Sequence, residues 1–245
     1  MSNRSRALTF ALLPIILLSG CISIFQRTPA QQVAAPAEVT FLTDDGVTIR
    51  GTYYAGGNNS IILLHMLIRS RNDYNFFAKQ LQQNGYSVLS IDFRGHGQSI
   101  PPSFNQIDDF NKLFIDVAAA KNFLAASKGK PADRISIIGA SIGANIALRY
   151  AADNPSIRSI ILLSPGNNYH DVTARDVIGK YQGKILIIAA ADDGNGVAAQ
   201  EATGIAVLTD KEELKIYEKG GHGTNLLGTN DVNKVILVFL SRVYS

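Results

Sequence analysis

Ile135-Ser136-Ile137-Ile138-Gly139-Ala140-Ser141-Ile142-Gly143-Ala144-Asn145-Ile146-Ala147-Leu148 decides how this chain folds. Ile135 to Ile138 is a short β-branched run of the kind that a strand buried on both faces carries. From Ala144 to Ala152 the apolar residues recur at helical spacing, so the Gly-x-Ser-x-Gly string between them lies at a strand-to-helix turn. Working outward, Ile61 to Leu64, Tyr86 to Ile91, Ile157 to Leu163, Lys184 to Ala189 and Leu214 to Tyr217 read as further buried strands. Helical patterns separate them over Asp73 to Gln83, Asp108 to Ala126, Gly143 to Asp153, Thr173 to Tyr181, Val197 to Leu208 and Asn230 to Val243. Ahead of this alternation, Val39 to Leu42 and Val47 to Tyr53 flank an Asp44-Asp45-Gly46 turn and predict an antiparallel hairpin. The fold class that follows is α/β, a mostly parallel central sheet behind an N-terminal antiparallel hairpin, with helices on both faces.

In such sheets ligands bind at the carboxyl ends of the strands, and three residue types with related chemistry fall there in order. A tight strained turn that presents a serine oxygen to a cleft requires small residues two positions to either side, as Gly139 and Gly143 are for Ser141. A serine hydroxyl is a weak nucleophile at neutral pH. It needs a histidine to take its proton and a carboxylate to orient that histidine. His222, in Gly220-Gly221-His222-Gly223, follows the last strand run, and Asp192-Asp193 follows the strand before it. Serine, acid and histidine in that order mark hydrolases of this type.

At this point the segment from Glu38 to Tyr244 resembles an α/β-hydrolase of the small bacterial esterase and lipase-like kind. Gly85 to Ser99, with its Arg94-Gly95-His96-Gly97-Gln98-Ser99 loop, is similar to that family's fourth strand and following loop. Ile61 to Leu67 resembles its third strand and oxyanion loop, except that Met66 stands where His-Gly is usual. The resemblance implies a catalytic set of Ser141, Asp193 and His222, with the backbone N–H groups of Leu67 and Ile142 as an oxyanion hole. Met66 is the alternative second donor. The family pattern Gly-x-x-Asp-x-x-Val is met with Ala190 in the glycine place and Val197 one residue late, which favours Asp193 and leaves Asp192 as the alternative acid. His65 is expected to order the oxyanion loop, His96 to fix its own loop, and His170 to be simply exposed, with a place bordering the cleft after the sixth strand as the alternative. Asp108, Asp109 and Asp116 are expected on the solvated face of a helix whose apolar stripe is Phe110, Leu113, Phe114 and Val117. The short interval from Ser164 to Gly183 has room for one helix and no large cap domain, so the cleft should be open.

The chain begins differently. Arg4 and Arg6 precede an apolar run from Ala7 to Leu18, broken by Thr9 and Pro14, which has the layout of a secretory signal peptide. Leu18-Ser19-Gly20-Cys21 resembles the lipobox of bacterial lipoproteins, in which the cysteine is lipidated and becomes the first mature residue. Expected domains are a signal peptide over residues 1–20, lipidated Cys21 and a Gln, Ala and Pro rich tether over 21–37, and a hydrolase domain over 38–245. Ile22 carries no acid, and in that resemblance this favours the outer membrane of a bacterial envelope, if the host has one. Several acyl chains together supply stable membrane anchoring.

Composition narrows the rest. With 245 residues, 46% hydrophobic and 18% charged, the sequence is that of an ordinary globular domain plus its leader. The net charge of +3 falls to +1 once Arg4 and Arg6 are set aside, which leaves no basic surplus for nucleic acid. One cysteine excludes an intrachain disulfide, and no two of the four histidines have helical metal-ligand spacing, so neither metal nor cofactor is expected. The expected function is a membrane-tethered serine hydrolase that cleaves small-molecule carboxylic esters through an acyl-serine. Thioester or peptide substrates fit the same scaffold, and a non-catalytic envelope lipoprotein that binds a ligand on it is the alternative.

Overall fold

The computed structural model describes residues 33–210, 212–229 and 231–245. The expected signal peptide and Cys21 lie outside the described residues, as does all but the end of the expected tether. Eight strands form one sheet in the order β1-β2-β4-β3-β5-β6-β9-β10. They are β1 (Ala37–Leu42), β2 (Thr48–Tyr54), β3 (Ser60–Leu64), β4 (Ser87–Ile91), β5 (Ile135–Ala140), β6 (Ile157–Leu163), β9 (Lys184–Ala190) and β10 (Glu212–Tyr217). β1 and β2 pair antiparallel, as do β2 and β4, and every other neighbouring pair is parallel. A separate two-stranded hairpin, β7 (Asn168–Tyr169) and β8 (Val172–Thr173), follows β6.

The strand residues alternate between two cores, because successive side chains in a strand point to opposite faces. Ile62, Leu64, Ile137, Ile160, Leu162, Ile185 and Ile187 pack on one side with α2 (Leu113–Lys128), α3 (Ile142–Asp153) and α4 (Val197–Ala206). Ile61, Leu63, Ile138, Ile161, Leu163, Leu186 and Ile188 pack on the other with α1 (Asn75–Gln83) and α5 (Val232–Val243). Each such fully buried side chain contributes roughly 1.5–3 kcal/mol over leaving it exposed. The two cores thus fix the sheet, and with it the strand ends. Since β1 runs parallel to β4, the chain enters β1 from the end of the sheet away from the carboxyl termini of β3 and β5. There Gln82, in the last turn of α1, donates to the carbonyls of Ala34 and Ala55.

Two expectations require correction. The helix expected over Thr173 to Tyr181 does not form, and the segment holds only a single 3-10 turn at Ile178–Lys180. Its apolar residues Val172, Ala174, Val177, Ile178 and Tyr181 are buried from an irregular path. Gly179 weakens any helix there, and buried Asn145 of α3 takes the backbone into its own bonds, donating to the carbonyls of Gly166 and Val172 and accepting from Gly166 N–H. Asp116 does not face solvent. It is fully buried, where it accepts from the backbone and guanidinium of Arg94, while Phe114 is turned outward at 47% exposure. Burial pushes the Asp116 carboxyl up to about 6 against the pull of Arg94.

Candidate active site

β5 delivers Ser141 to the C-terminal edge of the sheet on a backbone of φ 55° and ψ −123°, outside the ordinary regions for a side-chain-bearing residue. The turn is this tight because β5 and α3 nearly touch. A Cβ on Gly139 would lie 2.1 Å from the Gly143 carbonyl oxygen. A Cβ on Gly143 would lie 2.6 Å and 2.7 Å from the carbonyl oxygens of Leu64 and His65. Ser141 N–H donates to Leu163 O at 2.9 Å, which ties the turn to the end of β6.

The close approach of Gly143 to Leu64 and His65 also sets the start of α3 against the loop that leaves β3. In that loop His65 is fully buried between two backbone groups. Phe93 N–H donates to its Nε2 at 3.0 Å, so Nε2 is the acceptor and the ring proton resides on Nδ1. Nδ1 donates to Met66 O at 2.6 Å. In a trans peptide C=O and N–H point opposite ways, so pinning Met66 O turns Leu67 N–H to the other side. Burial holds the His65 ring neutral by lowering its pKa to about 4, which preserves this tautomer. Leu67 N–H has no hydrogen-bond acceptor among the described residues. Ile142, as the first residue of α3, has no partner four residues back within its helix. Met66 points its side chain to the histidine loop, where a Cβ on Gly223 would meet its sulfur at 2.3 Å.

The acid and the histidine meet. His222 Nδ1 and Asp193 Oδ2 are 2.7 Å apart, with the imidazole 36% exposed and the carboxylate 12% exposed. Asp192 turns the other way and accepts the N–H groups of Gly220 and Gly221, each at 3.0 Å, and these bonds lower its pKa. The histidine loop is brought beside the serine by the end of β6. Ser164 Oγ accepts from Gly223 N–H at 3.0 Å, and a Cβ on Gly223 would sit 3.4 Å from that of Ala140.

Of the remaining histidines, His96 is buried and its Nδ1 lies 3.0 Å from Arg94 O within its own loop. His170 is exposed at the tip of the β7–β8 hairpin, its ring 4.7 Å from that of Phe110. Among the described residues no group of three or more His, Cys, Asp or Glu is placed to hold a metal. A cleft of about 560 Å³, lined by Phe114, Lys121, Arg149 and Asp171, includes none of Ser141, Asp193 and His222. Sequence reasoning passed over Ser164, Asn145 and Tyr169. The signal available for Ser164 was its place at the carboxyl end of β6, the same rule that located Ser141.

A family model described as "Serine aminopeptidase, S33" matches residues 58–219. That stretch includes Ser141 and Asp193 and stops three residues short of His222. A thiohydrolase of Aspergillus aculeatus is 30% identical over 132 residues, covering 53% of this chain and 41% of its own length. A monoglyceride lipase homolog of Monkeypox virus is 29% identical over 176 residues, covering 66% of this chain and 60% of its own. The chain thus spans less than two thirds of either relative. Among solved structures, an esterase of Pyrococcus furiosus superposes with a TM-score of 0.74 at 20% identity, over 86% of this chain and 92% of that one. An esterase of Exiguobacterium antarcticum gives 0.70 at 15% identity, over 84% and 100%.

Proposed function

This chain belongs to the serine aminopeptidase S33 family and has the α/β-hydrolase fold, and from that membership we propose that it hydrolyses carboxylic esters through an acyl-serine at Ser141. The observation that carries the proposal is the 2.7 Å bond between His222 Nδ1 and Asp193, made beside the strained turn that presents Ser141. With Nδ1 engaged, Nε2 of His222 is the nitrogen left to take the Ser141 proton as Oγ attacks the substrate carbonyl. Asp193 then stabilises the imidazolium. The Leu67 and Ile142 amides receive the oxyanion, an interaction whose single donors typically contribute about a hundredfold to a thousandfold in turnover. His222 returns the proton to the leaving alcohol, and water repeats the sequence on the acyl-enzyme.

Small or soluble esters suit the site best, because the interval between β6 and β9 carries a hairpin and one turn where larger relatives of a fold can insert a cap. The Leu18-Ser19-Gly20-Cys21 motif supports lipidation at Cys21 and attachment to a bacterial envelope membrane, the outer one in a host that has two.

A fluorophosphonate probe tests the proposal on the full-length chain. The expected result is an adduct mapped to Ser141 that vanishes in Ser141→Ala and His222→Ala, recovered in the membrane fraction for wild type and released from it in Cys21→Ser. A folded wild-type chain that takes up no probe overturns the hydrolase proposal and directs attention to a ligand-binding scaffold.

A further inference from the structure

Tyr169 stands where the proposed triad has no use for it. It is carried on the β7–β8 hairpin, which buried Asn145 anchors to α3 one turn beyond the nucleophile. The ring is seated against the chain at Gly166, where an added Cβ would come within 2.5 Å of it. Its edge meets the imidazole of His222 at a centroid distance of 6.2 Å. Its hydroxyl donates to Ser164 O at 3.2 Å, and the Ser141 side chain is near enough to act on the phenol. A phenol has one proton and lone pairs to accept with. A carbonyl can only accept, so while Tyr169 donates to Ser164 O the only bond open to it with Ser141 Oγ is one it accepts, and donation to Oγ requires its proton to turn from that carbonyl.

On the hydrolase reading above, we propose that Tyr169 is a fourth catalytic residue, whose hydroxyl turns its proton from the Ser164 carbonyl to Ser141 Oγ as that oxygen gains negative charge. In acylation the Oγ–C bond forms, the carbonyl electron pair moves to the oxyanion, and the Ser141 proton passes to His222. Collapse expels the alcohol, which takes the proton from His222. In deacylation water adds to the acyl carbon and gives its proton to His222. The C–Oγ bond then breaks and that proton goes to Oγ. Tyr169 keeps its own proton throughout and contributes a hydrogen bond to Oγ at both points where Oγ is anionic in character. Burial, with the carboxylates of Glu201 and Asp193 nearby, pushes the phenol up to about 12, so it remains a donor across the working range of a histidine-dependent hydrolase.

Two variants of the full-length chain test this. Tyr169→Phe keeps the ring against Gly166 and His222 and removes the hydroxyl alone. Hydrogen bonds to charged groups support an expected loss of about tenfold to a hundredfold in the rates of fluorophosphonate labelling and p-nitrophenyl acetate turnover. The melting temperature and KM should stay near wild type. The second variant carries 3,5-difluorotyrosine at position 169, whose phenol ionises at lower pH. Its activity should fall on the alkaline side at lower pH than wild type does. Wild-type rates in Tyr169→Phe, or an alkaline limb unmoved by the fluorinated residue, overturn the role of Tyr169 and leave the serine hydrolase proposal standing. A folded wild type that neither labels nor turns over the ester overturns both.

Discussion

Two adjacent aspartates at the end of β9 divide the work of one loop. Asp193 reaches His222, while Asp192 holds the backbone of Gly220 and Gly221 that carries it. The first is needed for the tautomer and charge of the imidazole, the second for where the imidazole sits. Asp193→Asn should therefore lower kcat by about ten-thousandfold with the fold intact, as loss of the orienting carboxylate does in serine hydrolases generally. Asp192→Asn keeps an acceptor oxygen and should retain most of the activity. Steady-state kinetics on an activated ester separates the two, and equal losses would mean that the bond to His222 is not the one that matters. Ser141, His222 and the Asp192-Asp193 pair were legible in the sequence because their chemistry and chain order constrain them together. Tyr169 and Ser164 were not, since the groups that each one meets are brought near only by the folded loops.

At the scale of the element, the strand-to-helix turn depends on an absence of side chains. Placing a methyl on Gly143 sets it against two carbonyl oxygens, of Leu64 and His65, neither of which has a rotamer to escape into. Gly143→Ala should destabilise by about 1–3 kcal/mol, the usual cost of overpacking. It should also slow turnover further than the stability loss explains, because the displaced segment is the one carrying Leu67. Urea titration and kcat measured on the same preparation test both. Helix α2 shows the reverse lesson. Leu113 and Val117 of the expected stripe are fully buried, but Asp116, Ala120 and Leu124 complete the inward face while Phe114 is turned out of it. Charge alone points Asp116 to solvent, and its partner Arg94 lies too far away in the chain to be weighed with it. The irregular path in place of the expected Thr173 to Tyr181 helix has the same origin, since Asn145, distant in sequence, holds the backbone at Gly166 and Val172 that leads into it.

For the molecule as a whole, the sheet and its two cores were legible because period-two apolar runs separated by helical ones admit few arrangements. Its response to acid rests on groups that patterning does not reveal. His65 is held neutral down to about 4 against an ordinary value of 6.5. The unfolded chain therefore binds this proton more readily than the folded one, and stability present above about 6.5 is lost as pH falls toward 4. Melting temperature should decline over that interval, and His65→Gln, which does not titrate, should remove part of the slope. A slope identical in the two chains would mean that His65 takes up its proton without disturbing the fold. The path of the chain into β1 bears on orientation. Ala34 is fastened by Gln82 at the pole of the domain opposite Ser141. The described chain therefore enters the domain at the end of the sheet remote from Ser141, and the way in to the serine is bordered by the loops that leave β3, β6, β9 and β10.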